Sequence, residues 1–366
     1  MKVCIAHGGD VSEPSGGTDR VTAFASGLQR NGIDVILVVP EPTGEFPDQL
    51  EPVDVRPVDT EPFGVSNSLV RAGTVARGAR RIAENEDAFL QLEHSTLAGV
   101  GTVLGSEDYI LDMHDLAFAR YDHVETKASP VLRRIVGWLE RRAVESADRI
   151  VVVSQYMRQV LRKKWGVSPG SVDVIENGFY PERITGFRDL DIVPGRICFL
   201  GTLHPKIDVD TIVELARLSA VEELCVIGDG ARRTELQRLK KRRGLEALRV
   251  LGRLPDEEAF ELVGSAEAVI NPQTMSELQR SSSPVKLYYY AALGKAMVVS
   301  EGPDVAEKLA EEDAALVVDS QSNFVESVER ILQNDDHAER LGRNARRVAE
   351  TFKWERRVER LKNLYH

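Results

Sequence analysis

Short β-branched runs alternate with amphipathic stretches from the first residues onward. Residues 3–6 are apolar, 18–29 carry apolar positions at helical spacing, Gly32 interrupts that pattern, and 35–39 are apolar again. Brief continuous apolar runs suit strands and a period near 3.6 suits helices, so the order reads strand, helix, strand. The alternation continues with strands over 109–113, 149–153 and 172–175 and helices over 131–145 and after Ser154. It restarts near residue 195. Strands are expected over 196–200, 223–227, 248–251, 268–270, 297–300 and 315–318, and helices over 208–218, 232–241, 285–293, 324–332 and 338–352. Strands joined by helices form parallel sheets covered on both faces. The fold class is therefore α/β, with two Rossmann-like doubly wound domains over 1–188 and 189–350. Gly and Pro punctuate a charged linker at 185–195. Trp354, Val358, Leu361 and Tyr365 form one stripe on a last helix, so 351–366 are expected to pack back on the first domain. Between 40 and 62, six prolines and seven acidic residues against one Arg predict an extended, solvated excursion.

Composition narrows the class. The chain has 366 residues, enough for two cores, and 42% hydrophobic with 29% charged residues excludes a disordered chain. A net charge of −11 excludes broad coating of nucleic acid, whose binding rests on neutralising phosphates. Cys4, Cys198 and Cys225 stand far apart in apolar runs, which gives neither a disulfide framework nor a metal cluster and fits a reducing cytoplasm. The opening MKVCIAHGGD is too short in apolar residues for a signal sequence, and no later run approaches the ~20 residues that span a bilayer. Locally the charge reverses: 131–165 hold nine Arg and Lys against three Asp and Glu. Within 131–142, VLRRIVGWLERR mixes arginines with Ile135 and Trp138. Such a helix either lies on an anionic membrane surface or packs on the sheet as an ordinary amphipathic helix.

Four segments could carry chemistry. HGGD at 7–10 and PSGGTDRV at 14–21 put Gly16 and Gly17 between the first strand and its helix, where glycines admit close backbone approach to a phosphate or sugar. The dinucleotide fingerprint G-x-G-x-x-G is missing, which disfavours an NAD enzyme. LDMHDL at 111–116 carries His114 at a strand tip, where ligands of open α/β sheets bind. GTLHPKID at 201–208 offers Lys206 to an anion, beside the VIGDG loop at 226–230. Most informative is 271–300. Ser281, Ser282 and Ser283 are read as the cap, Pro284 as the first helical residue, and the amides of Val285, Lys286 and Leu287 as a seat for a diphosphate. The Asp-x-Asp strings at 189–191 and 208–210 read as solvated charge, so no obligatory metal is expected.

The succession GGTDRV, HDL, ADRIVVVS, VIENG, FLGTLHPKID, VIGDG, LGRL and SSSPVKLYYYAALGKAMVVS resembles the family 4 (group 1) glycosyltransferases over nearly the whole chain. The resemblance implies the GT-B architecture, two Rossmann-like domains facing across a cleft. It implies transfer of a sugar from a nucleotide-diphosphate donor, with retention, to a glycan, lipid-linked or small-molecule acceptor. No cofactor beyond the nucleotide sugar is implied. Gly16 and Gly17 would face donor and acceptor, and His114 would contact the transferred sugar. Arg253 and Leu254 would line the base pocket, and 283–287 would hold the diphosphate. Two departures stand out. Thr202 occupies the place of a usual Arg, leaving Lys206 as half of a cationic pair. The family's two glutamates fall at Ser281 and Tyr289, and Glu277 is the nearest replacement. The expectation is a cytoplasmic transferase, peripheral on the inner membrane face; the alternative is a catalytically degenerate binding or regulatory subunit.

Overall fold

Strands β1 (Lys2–Ala6), β2 (Asp34–Pro40), β3 (Asp54–Val58), β4 (Phe89–Glu93), β5 (Tyr109–Met113), β6 (Arg149–Val152) and β7 (Val172–Val174) form one sheet. Their order is β3-β2-β1-β4-β5-β6-β7, and every pairing is parallel. A second parallel sheet holds β8 (Val193–Leu200), β9 (Glu223–Ile227), β10 (Leu248–Gly252), β11 (Ala266–Asn271), β12 (Ala296–Ser300) and β13 (Leu316–Val318). Its order is β10-β9-β8-β11-β12-β13. The computed structural model describes residues 1–60, 68–119 and 130–365. It divides into two compact units: Met1–Gly178 with Ser281–Ser283 and Trp354–His366, and Phe179–Arg280 with Pro284–Lys353.

Buried Val, Ile and Leu from both sheets account for the cores. In the second unit one cluster surrounds Cys198, Val269, Tyr288 and Phe352, and another surrounds Ile197, Phe199, Val226 and Ile331. Parallel strands covered on both faces require this near-continuous apolar character. In the first unit the helix Gly16–Arg30 packs against the helix Trp354–Lys362. Gly27 makes that approach feasible, since a Cβ there would lie 2.4 Å from Val358 Cγ2. The rings of Phe24 and Trp354 meet edge to face at 5.8 Å.

The structure corrects several sequence readings. Residues 40–62 are not wholly irregular, because β3 pairs with β2 there. Pro57 is tolerated because β3 is an edge strand with a side that needs no ladder donor. Strand β4 and the helices Ser68–Glu86 and Ser95–Val103 were not anticipated. Buried Gln91 and Glu93 break the apolar run of β4, while glycines obscure the helix Ser95–Val103. At Gly99 a Cβ would lie 2.2 Å from the Leu139 carbonyl oxygen, so the helix Pro130–Ser146 packs where only glycine fits. Gly16 and Gly17 are the first turn of their helix, not a loop before it, because Ser15 caps it by accepting from Thr18 N–H at 3.0 Å. Pro284 is the cap of the helix Val285–Ala292 rather than its first residue, and no serine side chain caps it.

Each sheet has one point where the chain order reverses. It lies between β1 and β4 in the first sheet and between β8 and β11 in the second. Loops leaving the C-terminal ends of such strand pairs diverge and open a crevice, the usual ligand position in open α/β sheets.

Candidate functional site

In the first unit, His7, His94 and His114 gather beyond the C-terminal ends of β1, β4 and β5. The ring centroids of His94 and His114 are 4.0 Å apart, and His7 lies 5.6 Å from His94. His94 adopts a left-handed φ of 69°, which turns the chain from β4 into the following helix. Burial pushes the His7 imidazole well below its ordinary range, and the neighbouring His94 and His114 add to that shift. Gly17 faces this group: a Cβ on it would lie 3.4 Å from His114 Nδ1.

Beneath the imidazoles lies a buried charged layer. Glu93 and Asp112 are register partners on β4 and β5, and both are fully buried. Arg20, also fully buried, donates from Nε and Nη2 to the two Asp112 oxygens at 2.8 and 2.9 Å. Its Nη1 donates to the Ile175 carbonyl at 2.9 Å and to Asn177 Oδ1 at 3.2 Å. Glu93 is engaged at both oxygens, by Gln91 Nε2 at 2.6 Å and by His114 Nε2 at 2.5 Å. Burial raises the Glu93 pKa well above the carboxylate range, and Asp112 reinforces the shift. The Tyr365 hydroxyl donates to Gln91 Oε1. Glu93, Asp112 and His114 bring possible ligand atoms within 4.8 Å of one another. Their oxygens are nevertheless already taken, and the Arg20 guanidinium supplies the positive charge that a cation would bring. Of this constellation only His114 was singled out in the sequence. The signal for the rest was polar residues inside strand runs, Gln91 and Glu93 in FLQLE and Asp112 in YILDM.

In the second unit the loop after β8 passes close to the loop after β9. Gly228, at φ 135°, touches the Gly201 carbonyl so closely that a Cβ would lie 2.1 Å away. Beside Gly201 sits Lys286, from the first turn of the helix Val285–Ala292, with Nζ 3.0 Å from where a Gly201 Cβ would be. Lys286 Nζ lies 3.9 Å from the Phe199 ring centroid and has no carboxylate partner among the described residues. Desolvation holds its pKa well below the ordinary lysine value, with like-charge repulsion from Lys206 second. Lys206 is thus near enough to Lys286 to repel it, and Thr202 in the same loop after β8 is exposed.

The other nominated residues divide. The Leu287 N–H is not open to a ligand, since it donates to the Pro284 carbonyl at 3.1 Å. Ser281 and Ser283 are buried and belong with the first unit, where the Ser281 carbonyl accepts from Ser154 Oγ at 3.1 Å. Ser283 Oγ accepts from the Asn177 N–H at 3.1 Å, and its carbonyl accepts from Asn177 Nδ2 at 2.8 Å. Ser282 is partly exposed between them. Tyr289 is a core residue: its ring packs on Phe179 and Phe260, and its hydroxyl accepts from Arg183 at 3.0 Å. The side chain assigned to donor binding at that position therefore points into the apolar cluster, as expected of an aromatic ring where the family has a carboxylate. Arg253 and Glu277 are exposed, whereas Leu254 packs against the apolar cluster. Asp208 caps the helix Val209–Leu215, and Asp189 pairs with Arg346 at 2.9 Å. On the helix Pro130–Ser146, Val131, Ile135 and Trp138 are 63%, 41% and 52% exposed on one face. No helix among the described residues is long and apolar enough to cross a membrane.

Comparison with known proteins extends this picture. The profile of Glycosyltransferase Family 4 matches residues 14–183, and the Glycosyl transferase-like profile matches 213–363. A candidate teichuronic acid biosynthesis glycosyltransferase of Bacillus subtilis, TuaH, is 24% identical over 257 residues, covering 68% of this chain and 64% of that protein. Alpha-maltose-1-phosphate synthase of Mycolicibacterium smegmatis is 26% identical over 263 residues, covering 63% and 66%. The chain thus spans just under two thirds of the length of these relatives. Among solved structures, sucrose-phosphate synthase of Thermosynechococcus elongatus superposes with a TM-score of 0.82 at 16% identity, covering 100% of this chain and 98% of that one. Anabaena HepE in complex with UDP-glucose gives 0.76 at 16% identity, covering 100% and 99%. At these identities the superpositions speak for the fold. With two adjoining profiles spanning most of its length and two parallel α/β units matching those structures, the chain belongs to the family 4 glycosyltransferases of GT-B architecture.

Proposed function

We propose that this chain transfers a sugar, with retention, from a nucleoside-diphosphate donor to a glycan, lipid-linked or small-molecule acceptor. The observation that carries the reading is Lys286: its Nζ lies beside Gly201, with no carboxylate partner among the described residues and Lys206 close enough to repel it. A diphosphate at this place would bring negative charge to Lys286, with a second lysine, Lys206, near by. Departure of a nucleoside diphosphate concentrates negative charge on its phosphates, and preorganised cations stabilise that charge more as the bond breaks than before. The start of the helix Val285–Ala292 adds a partial positive charge to the same place. HepE, a structural neighbour, is known bound to UDP-glucose, which supports a nucleotide sugar as the donor class.

His114 would contact the transferred sugar, with Gly16 and Gly17 leaving room beside it. Thr202, Arg253, Leu254, Glu277 and Ser282 are the remaining donor-side positions, in part through backbone atoms. The exposed apolar face and arginines within 131–142 would hold the enzyme peripherally on an anionic membrane surface, which suits a lipid-linked acceptor. The test is calorimetric titration with UDP and GDP and their sugars, followed by an assay of nucleoside-diphosphate release. Binding of one diphosphate that weakens by roughly 10-fold or more in Lys286→Met supports the proposal, since charge-assisted hydrogen bonds contribute about 1.5–3 kcal/mol. If no nucleotide binds, the proposal fails in favour of a degenerate binding subunit.

A further inference from the structure

The imidazole of His114 is held from behind by a chain of buried polar side chains that begins at the far end of the sequence. Tyr365, 4% exposed, donates its hydroxyl proton to Gln91 Oε1. Gln91, fully buried on β4, donates from Nε2 to Glu93 Oε1 at 2.6 Å. Glu93 Oε2 meets His114 Nε2 at 2.5 Å. As placed, the tyrosine hydroxyl points its hydrogen at the amide oxygen, which turns the amide nitrogen toward Glu93. That contact leaves the second carboxylate oxygen for the imidazole. Nε2 is thereby the ring nitrogen bound to Glu93, and Nδ1 is the one on the Gly17 side.

We propose that Glu93 is the positioning carboxylate of His114, and that Gln91 and Tyr365 fix Glu93, so that residue 365 sets the orientation and proton affinity of His114. This rests on His114 being the sugar-facing residue, but its test does not require transfer. A carboxylate behind an imidazole fixes which nitrogen carries the proton and stabilises the charged ring, the arrangement by which orienting groups prepare catalytic histidines elsewhere. Here the two groups hold one proton between them, whichever side it occupies, and the pair titrates as a unit. Among the described residues, the titratable and charged groups seen facing the ring are Glu93 from β4, Asp112 from β5 with Oδ2 at 3.9 Å and Arg20 bound to it, and the imidazoles of His7 and His94. The two other histidines disfavour a further positive charge, so proton retention on His114 depends on Glu93.

The experiment is a pH titration of 15N-histidine-labelled protein by NMR, with the His114 signals identified by their loss in His114→Asn. In the native protein the shared proton should persist above the ordinary histidine value, with the tautomer fixed by Glu93. In Glu93→Gln the ring should lose its proton at least one pH unit lower, a tenfold or greater change in proton affinity. Tyr365→Phe, which deletes one oxygen at the remote end, should move the titration in the same direction by a few tenths of a unit up to about one. Should Glu93→Gln unfold the protein, Tyr365→Phe decides alone. A Tyr365→Phe protein whose melting temperature falls while the His114 titration stays native would make the chain merely structural and overturn the proposal. An unchanged titration in a folded Glu93→Gln protein would do the same. Because nothing in the measurement depends on donor or acceptor, failure here is distinct from failure of the transferase reading.

Discussion

Removing Arg20 isolates the value of the charged layer under the histidines. Its side chain is fully buried, donates to both Asp112 oxygens and lies 4.5 Å from the Phe24 ring centroid, so Arg20→Met keeps most of the packing and deletes the charge. Asp112 and Glu93, paired in register on adjacent strands, would then share an interior with no cation beside them. Breaking a buried ion pair from one side leaves an uncompensated charge and costs about 3–5 kcal/mol. For a unit of this size that corresponds to a fall of roughly 6–20 °C in melting temperature. The assay is selective, because the chain's three tryptophans, Trp138, Trp165 and Trp354, all lie in the first unit. Their fluorescence during urea unfolding reports that unit. The deficit should narrow as the pH is lowered. Burial holds the native Glu93 pKa above its unfolded value, and loss of the guanidinium, which opposes that shift, leaves it higher still, so its contribution is fully present at low pH and is lost as the pH rises through the native value. Arg20→Met with Asp112→Leu should recover much of the loss, since apolar replacement of both partners removes the orphaned charge. A loss below about 1 kcal/mol at neutral pH, with no pH dependence, would refute the view that this ion pair holds the sheet's polar layer together.

Three further outcomes follow from described geometry. Glu140 accepts from the Ala117 and Phe118 N–H groups and from Ser95, and burial pushes it up to about 7. Its native pKa lies above the unfolded value, so native stability relative to Glu140→Gln should fall as the pH rises from about 4.5 to 7, by up to about 1.4 kcal/mol per unit; parallel pH profiles in urea unfolding would exclude this. Gly201→Ala places a Cβ at φ 124° and 2.8 Å from Lys286 Cε, so it should destabilise the second unit by about 1–3 kcal/mol and weaken diphosphate binding together, as measured by unfolding and calorimetry. Trp138→Glu, which alters an exposed ring, should abolish co-sedimentation with anionic vesicles at low salt while leaving the melting temperature unchanged; a native protein that stays in the supernatant would remove the membrane role.

The repeating strand-helix rhythm was legible in the chain because most strands are apolar on both faces, and the restart near 195 matches the start of β8 at Val193. What escaped were elements that break the pattern for local reasons. Strand β4 carries two buried polar residues, β3 admits a proline at the sheet edge, and the helix Ser95–Val103 needs glycine where the Leu139 carbonyl approaches. The site was legible in pieces. His114 stood out because it follows an apolar run, whereas His7, His94, Arg20 and Glu93 come from separate segments that only the strand order brings together. Lys286 was nominated for its place at a helix start, but its position beside Gly201 depends on how that helix meets the sheet. Tyr289 shows the opposite: the resemblance marks a ligand position there, and packing places the aromatic ring in the core.

The first unit takes in Trp354–His366 from beyond the whole of the second. During translation, residues 1–178 therefore emerge without the piece that covers Gly27 and Phe24 and supplies the Tyr365 hydroxyl, whereas most of the second unit emerges as one stretch. Domains generally fold in the order in which they leave the ribosome. Here the first to appear should be the last to finish, exposing an apolar strip on the helix Gly16–Arg30 until residues 354–365 have emerged. Nascent chains stalled just before residue 354 should accordingly bind chaperones through that strip, and release should require that residues 354–365 have left the ribosome.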